Sequence, residues 1–170
     1  MVMLQKGSMS VHCMSHTKCN MKKLSVYLDS CCYNRPYDDL SNDKVRIESE
    51  AILTILEHNE HRRWTVLTSD VLFDEIDRII DMIKKEKVLA LFSPASSNIE
   101  INEQIIARAK ELNATNIKPF DALHIASAEF GNVDVFLTTD RRLINAAHRA
   151  GTTVRVSNPA LWLMEVLYDE

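Results

Sequence analysis

Glycine is scarce in this chain: there are three in 170 residues, with only four prolines. Neither a collagen-like repeat nor a Gly/Pro-rich disordered chain has that composition. No glycine-rich loop follows the first apolar run, which excludes a P-loop or dinucleotide-binding fold. No stretch approaches the roughly 18 apolar residues of a membrane span. The opening run, residues 1–4, is too short for a signal-peptide core, so a cytoplasmic protein is expected. An excess of positive charge is missing too: 20 Lys and Arg stand against 24 Asp and Glu, a net charge of -4. That argues against holding nucleic acid by bulk charge, but not against a nuclease whose acidic site is neutralised by metal ions. The four cysteines, two of them adjacent (Cys31 and Cys32), make no disulfide framework and read as reduced thiols.

What remains is the composition of an ordinary soluble domain, 46% hydrophobic and 26% charged. Residues 1–21 stand apart: rich in Met, Ser, Lys and Cys, with no helical or strand period, they are expected to be a flexible extension. Met21 reads as an alternative start, and 22–170 as the folded domain. His12, Cys13, His16 and Cys19 are of types that bind zinc, but adjacent His12 and Cys13 fit the usual paired spacings poorly.

From residue 24 onward, strand and helix patterns alternate. Apolar runs at 24–28, 64–67, 99–101, 133–137 and 154–156 predict strands. Between them lie helical patterns. One carries Ile47, Ala51, Ile52, Ile55 and Leu56, with Asn42 or Asp43 as its cap. A second, capped by Ser69, runs through Leu72, Ile76, Ile79, Ile80 and Ile83. A third, capped by Asn102, carries Ile105, Ile106, Ala109 and Leu112. Pro119 opens a fourth that stops at Gly131, and two more follow, at about 141–151 and from Asn158-Pro159 onward. Residues 34–39 read as a polar loop. This alternation predicts an α/β fold, a three-layer α/β/α arrangement around a central, mostly parallel sheet. Ligands of such folds bind beyond the carboxyl ends of the strands, where the strand order reverses.

Most of the residues at those positions are acids. Asp29 ends the first strand, Asp140 follows a later one, Asp121 stands in a first helical turn, and Glu75 lies in the helix after the second strand. Each has an ordinary explanation: a turn for Asp29, a helix dipole for Asp121, a solvated face for Glu75, a cap for Asp140. Gathered in one crevice they would repel and raise one another's pKa values, and a divalent cation relieves that; an all-oxygen site suits Mg²⁺ or Mn²⁺. A dehalogenase-type phosphotransfer site also begins with a strand and an Asp, but needs a second Asp where this chain has Cys31.

The segments Leu28-Asp29-Ser30, Glu75 six residues after Ser69, Lys118-Pro119-Phe120-Asp121-Ala122-Leu123-His124-Ile125-Ala126, and Phe136-Leu137-Thr138-Thr139-Asp140 occur in that order. The chain, over about residues 22–160, thereby resembles the PIN-domain ribonucleases, including the VapC-like toxins of toxin–antitoxin pairs. The resemblance implies a Mg²⁺- or Mn²⁺-dependent hydrolase that cuts single-stranded RNA with Asp29, Glu75, Asp121 and Asp140. It implies that the Ser30 and Thr138 hydroxyls support those acids, and that a small antitoxin and a second copy of the chain are partners. A PIN-like module that binds RNA or protein without catalysis is the alternative. Two features depart from the family pattern: the extra acid Asp70, and a long polar loop at Asn34-Arg35-Pro36. Arg35, Lys118, Arg141 and Arg142 flank the expected crevice and are candidates for phosphate contacts, ordinary solvated charge being the competing reading. Tyr33 and Tyr37 are candidates for base stacking or for local packing. His124, one helical turn after Asp121, is expected either to pack or to hydrogen-bond beside the acids. Leu161, Trp162, Met164 and Leu167 of the last helix are expected to serve an interface or to pack on the sheet.

Overall fold

A computed structural model describes residues 23–61, 63–92 and 97–168. The expected extension at 1–21, with its His and Cys residues, lies outside the described residues.

Among the described residues, five strands form one fully parallel sheet. They are β1 (Ser25–Leu28), β2 (Thr65–Ser69), β3 (Asn98–Ile99), β4 (Val135–Leu137) and β5 (Arg155–Ser157), in the order β3-β2-β1-β4-β5. Val26 lies opposite Val66 on one side of β1 and opposite Val135 on the other. The chain therefore winds outward from β1 in one direction and resumes beside β1 in the other. The crevice between the ends of β1 and β4 is the topological switch point.

Strand periodicity divides the core into two layers. Val26, Leu28, Val66, Val135 and Leu137 face helices α2 (Asp43–Glu60), α3 (Asp70–Asp77), α4 (Met82–Ala90) and α8 (Pro159–Tyr168). Tyr27, Phe136 and Val156 face α5 (Glu103–Asn113), α6 (Pro119–Phe130) and α7 (Arg141–Ala150). Each large apolar side chain buried in either layer contributes about 1.5–3 kcal/mol. The sheet is covered on both faces, which is why its strands read as continuous apolar runs.

Local chemistry sets most helix starts. Asn42 accepts from the backbone N–H groups of Lys44 and Val45, Ser69 from Leu72, and Asn102 from Gln104 and Ile105. Pro119 opens α6 and Gly131 ends it. Elsewhere the structure corrects the pattern reading. The single helix expected through Ile83 is two: α3 ends at Asp77, and Asp81 caps α4 through the N–H groups of Ile83 and Lys84. Ile80, between them, is 95% exposed. Ile47 and Ile106 sit on their helices' outer faces rather than in the core. Most of the polar loop expected at 34–39 is ordered: Asn34 ends a short helix, α1 (Ser30–Asn34), and Arg35–Tyr37 is a 3₁₀ turn. The last helix is divided, with Trp162 and Leu163 in the core and Leu161, Met164 and Leu167 exposed.

Candidate active site

Four separate segments deliver the acids to the switch point. The Asp29 N–H donates to the Leu137 carbonyl (2.9 Å), extending the β1–β4 ladder one residue and fixing Asp29 beside β4. Asp29 holds the N-cap position of α1, yet its side chain caps nothing. Its Oδ2 instead accepts from the Thr138 hydroxyl (2.7 Å) and the Cys31 thiol (3.1 Å). Asp140 caps α7, its Oδ1 accepting from the N–H groups of Arg142 (2.7 Å) and Leu143 (3.3 Å). The Thr138 hydroxyl oxygen in turn accepts from the Asp140 N–H (3.1 Å), so one threonine ties the two aspartates together. In each aspartate one oxygen is tethered, which orients the other.

Asp121 stands in the first turn of α6 and makes no capping bond. Its carboxyl is pushed up to about 6, first by burial and then by the negative charge of Asp29, with Asp140 adding to it; Lys118 and His124 oppose the shift. The three aspartates are thus electrostatically coupled, as a shared crevice requires. Glu75, on α3, behaves differently. His124 Nε2 lies 2.8 Å from Glu75 Oε2, and that hydrogen bond, with a second from Ser30, holds Glu75 below the usual carboxylate range against the effect of burial. One ligand atom each from Asp29, Glu75 and His124 lies within 4.8 Å of the others.

This donor set fits a hard divalent cation. Carboxylate oxygens dominate it, and the ionised Asp121 carries a penalty from burial, increased by the charge of Asp29, that a cation would offset. In the unfolded chain Asp121 ionises near its ordinary value of 3.8, whereas in the fold it keeps its proton to about 6. Folding stability without metal therefore falls as pH rises between those values, and the full penalty stands above them. Allowing for solvent screening at this half-buried group, the penalty is about 1–2 kcal/mol. In EDTA at pH 8, Asp121→Asn is expected to melt a few degrees, roughly 3–6 °C, above the unmodified chain. The gain should shrink toward zero at pH 4, as read by thermal melts across pH.

Other expected contacts fall differently. Arg35 is occupied: its Nε lies 3.1 Å from Glu48 and its Nη1 3.1 Å from Asp38. Lys118 and Arg141 are exposed, Lys118 at the cap of α6 beside Asp121 and Arg141 opening α7 beside Asp140. Tyr33 is buried and stacked on Phe92, and the Tyr37 hydroxyl donates to the Lys87 carbonyl, so both pack locally. Asp70, the departure from the family pattern, accepts from Asn98 Nδ2 (2.7 Å) and the Ile101 N–H (3.0 Å), pinning the end of β3 rather than joining the acids. Pattern reading missed two residues. Cys31 contacts Asp29 and Thr138, which only the turn of α1 makes possible. Tyr27 hydrogen-bonds His124 and Ser69; its signal is a phenol inside a fully buried strand, which needs a partner.

A family model described as "PIN domain" matches residues 43–149, a stretch that includes Glu75, Asp121 and Asp140 and begins after Asp29. No curated protein matches the chain. Among solved structures, FitAcB from Neisseria gonorrhoeae aligns at 20% identity with a TM-score of 0.50, covering 79% of this chain and 97% of that chain. VapBC2 from Rickettsia felis, bound to a DNA fragment from their promoter, aligns at 14% identity with a TM-score of 0.55, covering 79% and 98%. At those identities the likeness is one of fold.

Proposed function

The chain belongs to the PIN domain family, and from that premise we propose that it is a metal-dependent endoribonuclease hydrolysing phosphodiester bonds of single-stranded RNA. The observation that supports this most is that Asp121 feels the charge of both Asp29 and Asp140, while Glu75 offers an oxygen within 4.8 Å of one from Asp29. Merely binding RNA would not benefit from negative charge gathered at that point, since phosphates are repelled by it.

In this reading Asp29, Asp121 and Asp140 hold Mg²⁺ or Mn²⁺. Bound there, the cation supplies Lewis-acid charge for the scissile phosphate and makes a nucleophilic water available at neutral pH. Thr138 orients Asp29, and the Arg142 and Leu143 N–H groups orient Asp140. Glu75, ionised and supported by Ser30, positions the attacking water or completes the outer ligand shell. Lys118 and Arg141 meet the substrate's phosphates. By the same family resemblance, a small protein antitoxin is the proposed partner, with the exposed side of α8 (Leu161, Met164) as a homodimer contact.

The test is incubation of mixed-sequence single-stranded RNA with the purified chain in Mg²⁺, in Mn²⁺ and in EDTA. Cutting in either metal, abolished by EDTA, is the expected result. Cutting that persists in EDTA, or an intact RNA in both metals, would overturn the proposal.

A further inference from the structure

A chain of polar groups, buried except at its Glu75 end, leaves the first turn of α3, passes through β1 and α6 and returns to α3. The Leu72 N–H donates to Ser69 Oγ (3.2 Å), Ser69 Oγ meets the Tyr27 hydroxyl, and that hydroxyl meets His124 Nδ1 (2.8 Å). His124 Nε2 then meets Glu75 Oε2 (2.8 Å). Tyr27, Ser69 and His124 are almost wholly buried, His124 at 1% exposure.

The protons in this chain can be placed. At neutral pH Glu75 ends it as a carboxylate and can only accept, so His124 Nε2, 2.8 Å away, carries a hydrogen. An imidazolium donates from Nδ1 to the Tyr27 oxygen and still carries a hydrogen on Nε2; in the neutral ring Nδ1 is the acceptor and the Tyr27 O–H donates to it. The Tyr27 oxygen accepts from the Ser69 hydroxyl, and Ser69 accepts from the Leu72 N–H. Every hydroxyl hydrogen has an acceptor in this arrangement. The ring is also braced by an edge contact with Tyr27, whose own ring stacks on Phe136.

Each member lies close in sequence to an acid or its support. Tyr27 is two residues before Asp29, Ser69 caps the helix that carries Glu75, and His124 is one turn after Asp121. We infer that His124 is a positioning residue: anchored at Nδ1 by the Tyr27 hydroxyl, it holds the Glu75 carboxylate in the acid cluster through its Nε2–H and stays outside the ligand set of the metal. The inference rests on the nuclease reading above. It also decides between two uses of the same imidazole, because a nitrogen that carries a hydrogen toward Glu75 has no lone pair for a cation.

The test uses the full chain with Mn²⁺ as the probe, comparing the unmodified protein with His124→Gln, His124→Leu and Tyr27→Phe. Mn²⁺ affinity is read by electron paramagnetic resonance, directly bonded nitrogen by pulsed spectra, and cleavage by initial rates. Gln keeps an N–H near the Nε2 position and Leu does not. The expected result is Mn²⁺ binding with no bonded-nitrogen signal. Affinity and kcat should fall about 10–100-fold in His124→Leu, with KM for RNA unchanged and most of the loss restored by Gln. Tyr27→Phe should fall between the two.

A bonded-nitrogen signal in the unmodified chain, lost in His124→Gln, would overturn the inference by making His124 a ligand. So would His124→Leu binding Mn²⁺ and cutting RNA as well as the unmodified chain, or Gln failing to restore a well-folded protein. An unmodified chain that binds no Mn²⁺ would instead overturn the nuclease reading itself, and this inference with it.

Discussion

Replacing Asp29 with Asn is expected to lower metal-dependent RNA cleavage on the order of a thousandfold, the scale of removing a major electrostatic group from a site, while the fold is retained. The asparagine side-chain oxygen can still accept from the Thr138 hydroxyl, and the backbone bond from residue 29 to Leu137 involves no side chain. What is lost is the negative charge and one anionic oxygen. The same loss relieves Asp121, whose carboxyl is held up partly by Asp29. Its pKa should fall toward the ordinary value, and the metal-free protein should melt no lower than the unmodified chain at pH 8. Activity and stability therefore move apart, as expected of a group kept for chemistry at some cost to the fold. Steady-state cleavage and a thermal melt on the same preparation check both halves. An Asp29→Asn protein that cuts RNA at the original rate contradicts the assignment.

The largest stability loss is expected at Arg35. Glu48 is almost completely buried, and its neighbours are Arg35 Nε (3.1 Å), Lys44 Nζ (3.6 Å) and Asn158 Nδ2 (2.8 Å). Arg35→Met leaves that carboxylate with one long ion pair and one amide. Breaking a buried pair on one side costs about 3–5 kcal/mol, and the remaining partners reduce this to about 2–4 kcal/mol. The melting temperature should drop by roughly 5–15 °C. Arg35→Met combined with Glu48→Leu should recover most of the loss, since no orphaned charge remains. If Arg35 served RNA phosphates instead, Arg35→Met would raise KM and leave the melt unchanged.

Arg35 also illustrates where sequence reading stops. Its place beside the expected crevice is legible from order along the chain. Its pairing with Glu48 depends on how α2 docks, which no local pattern encodes. Helix starts were legible for the opposite reason: Asn42, Ser69 and Asn102 act on N–H groups two or three residues away. The break between α3 and α4 was hidden because Ile79, Ile80 and Ile83 keep helical spacing. Only the tertiary fold decides that Ile80 is left in solvent and that Asp81 starts a new helix.

The site divides in the same way. Each acid's position at a strand end or in a helix could be read one by one, while their convergence depends on the order β3-β2-β1-β4-β5. His124 showed its alignment with Asp121 through the helical repeat. Its partners could not be read, because Tyr27 lies 97 residues away and Glu75 49.

The most direct measurement of the central claim is anomalous diffraction from crystals of the chain soaked in Mn²⁺ near pH 7.5, where Asp121 is ionised. The account predicts an anomalous peak in the crevice between β1 and β4, about 2.0–2.2 Å from carboxylate oxygens of Asp29, Asp121 and Asp140, and its absence from an Asp29→Asn crystal. No peak in that crevice at saturating Mn²⁺, or an equal peak after Asp29→Asn, would contradict it.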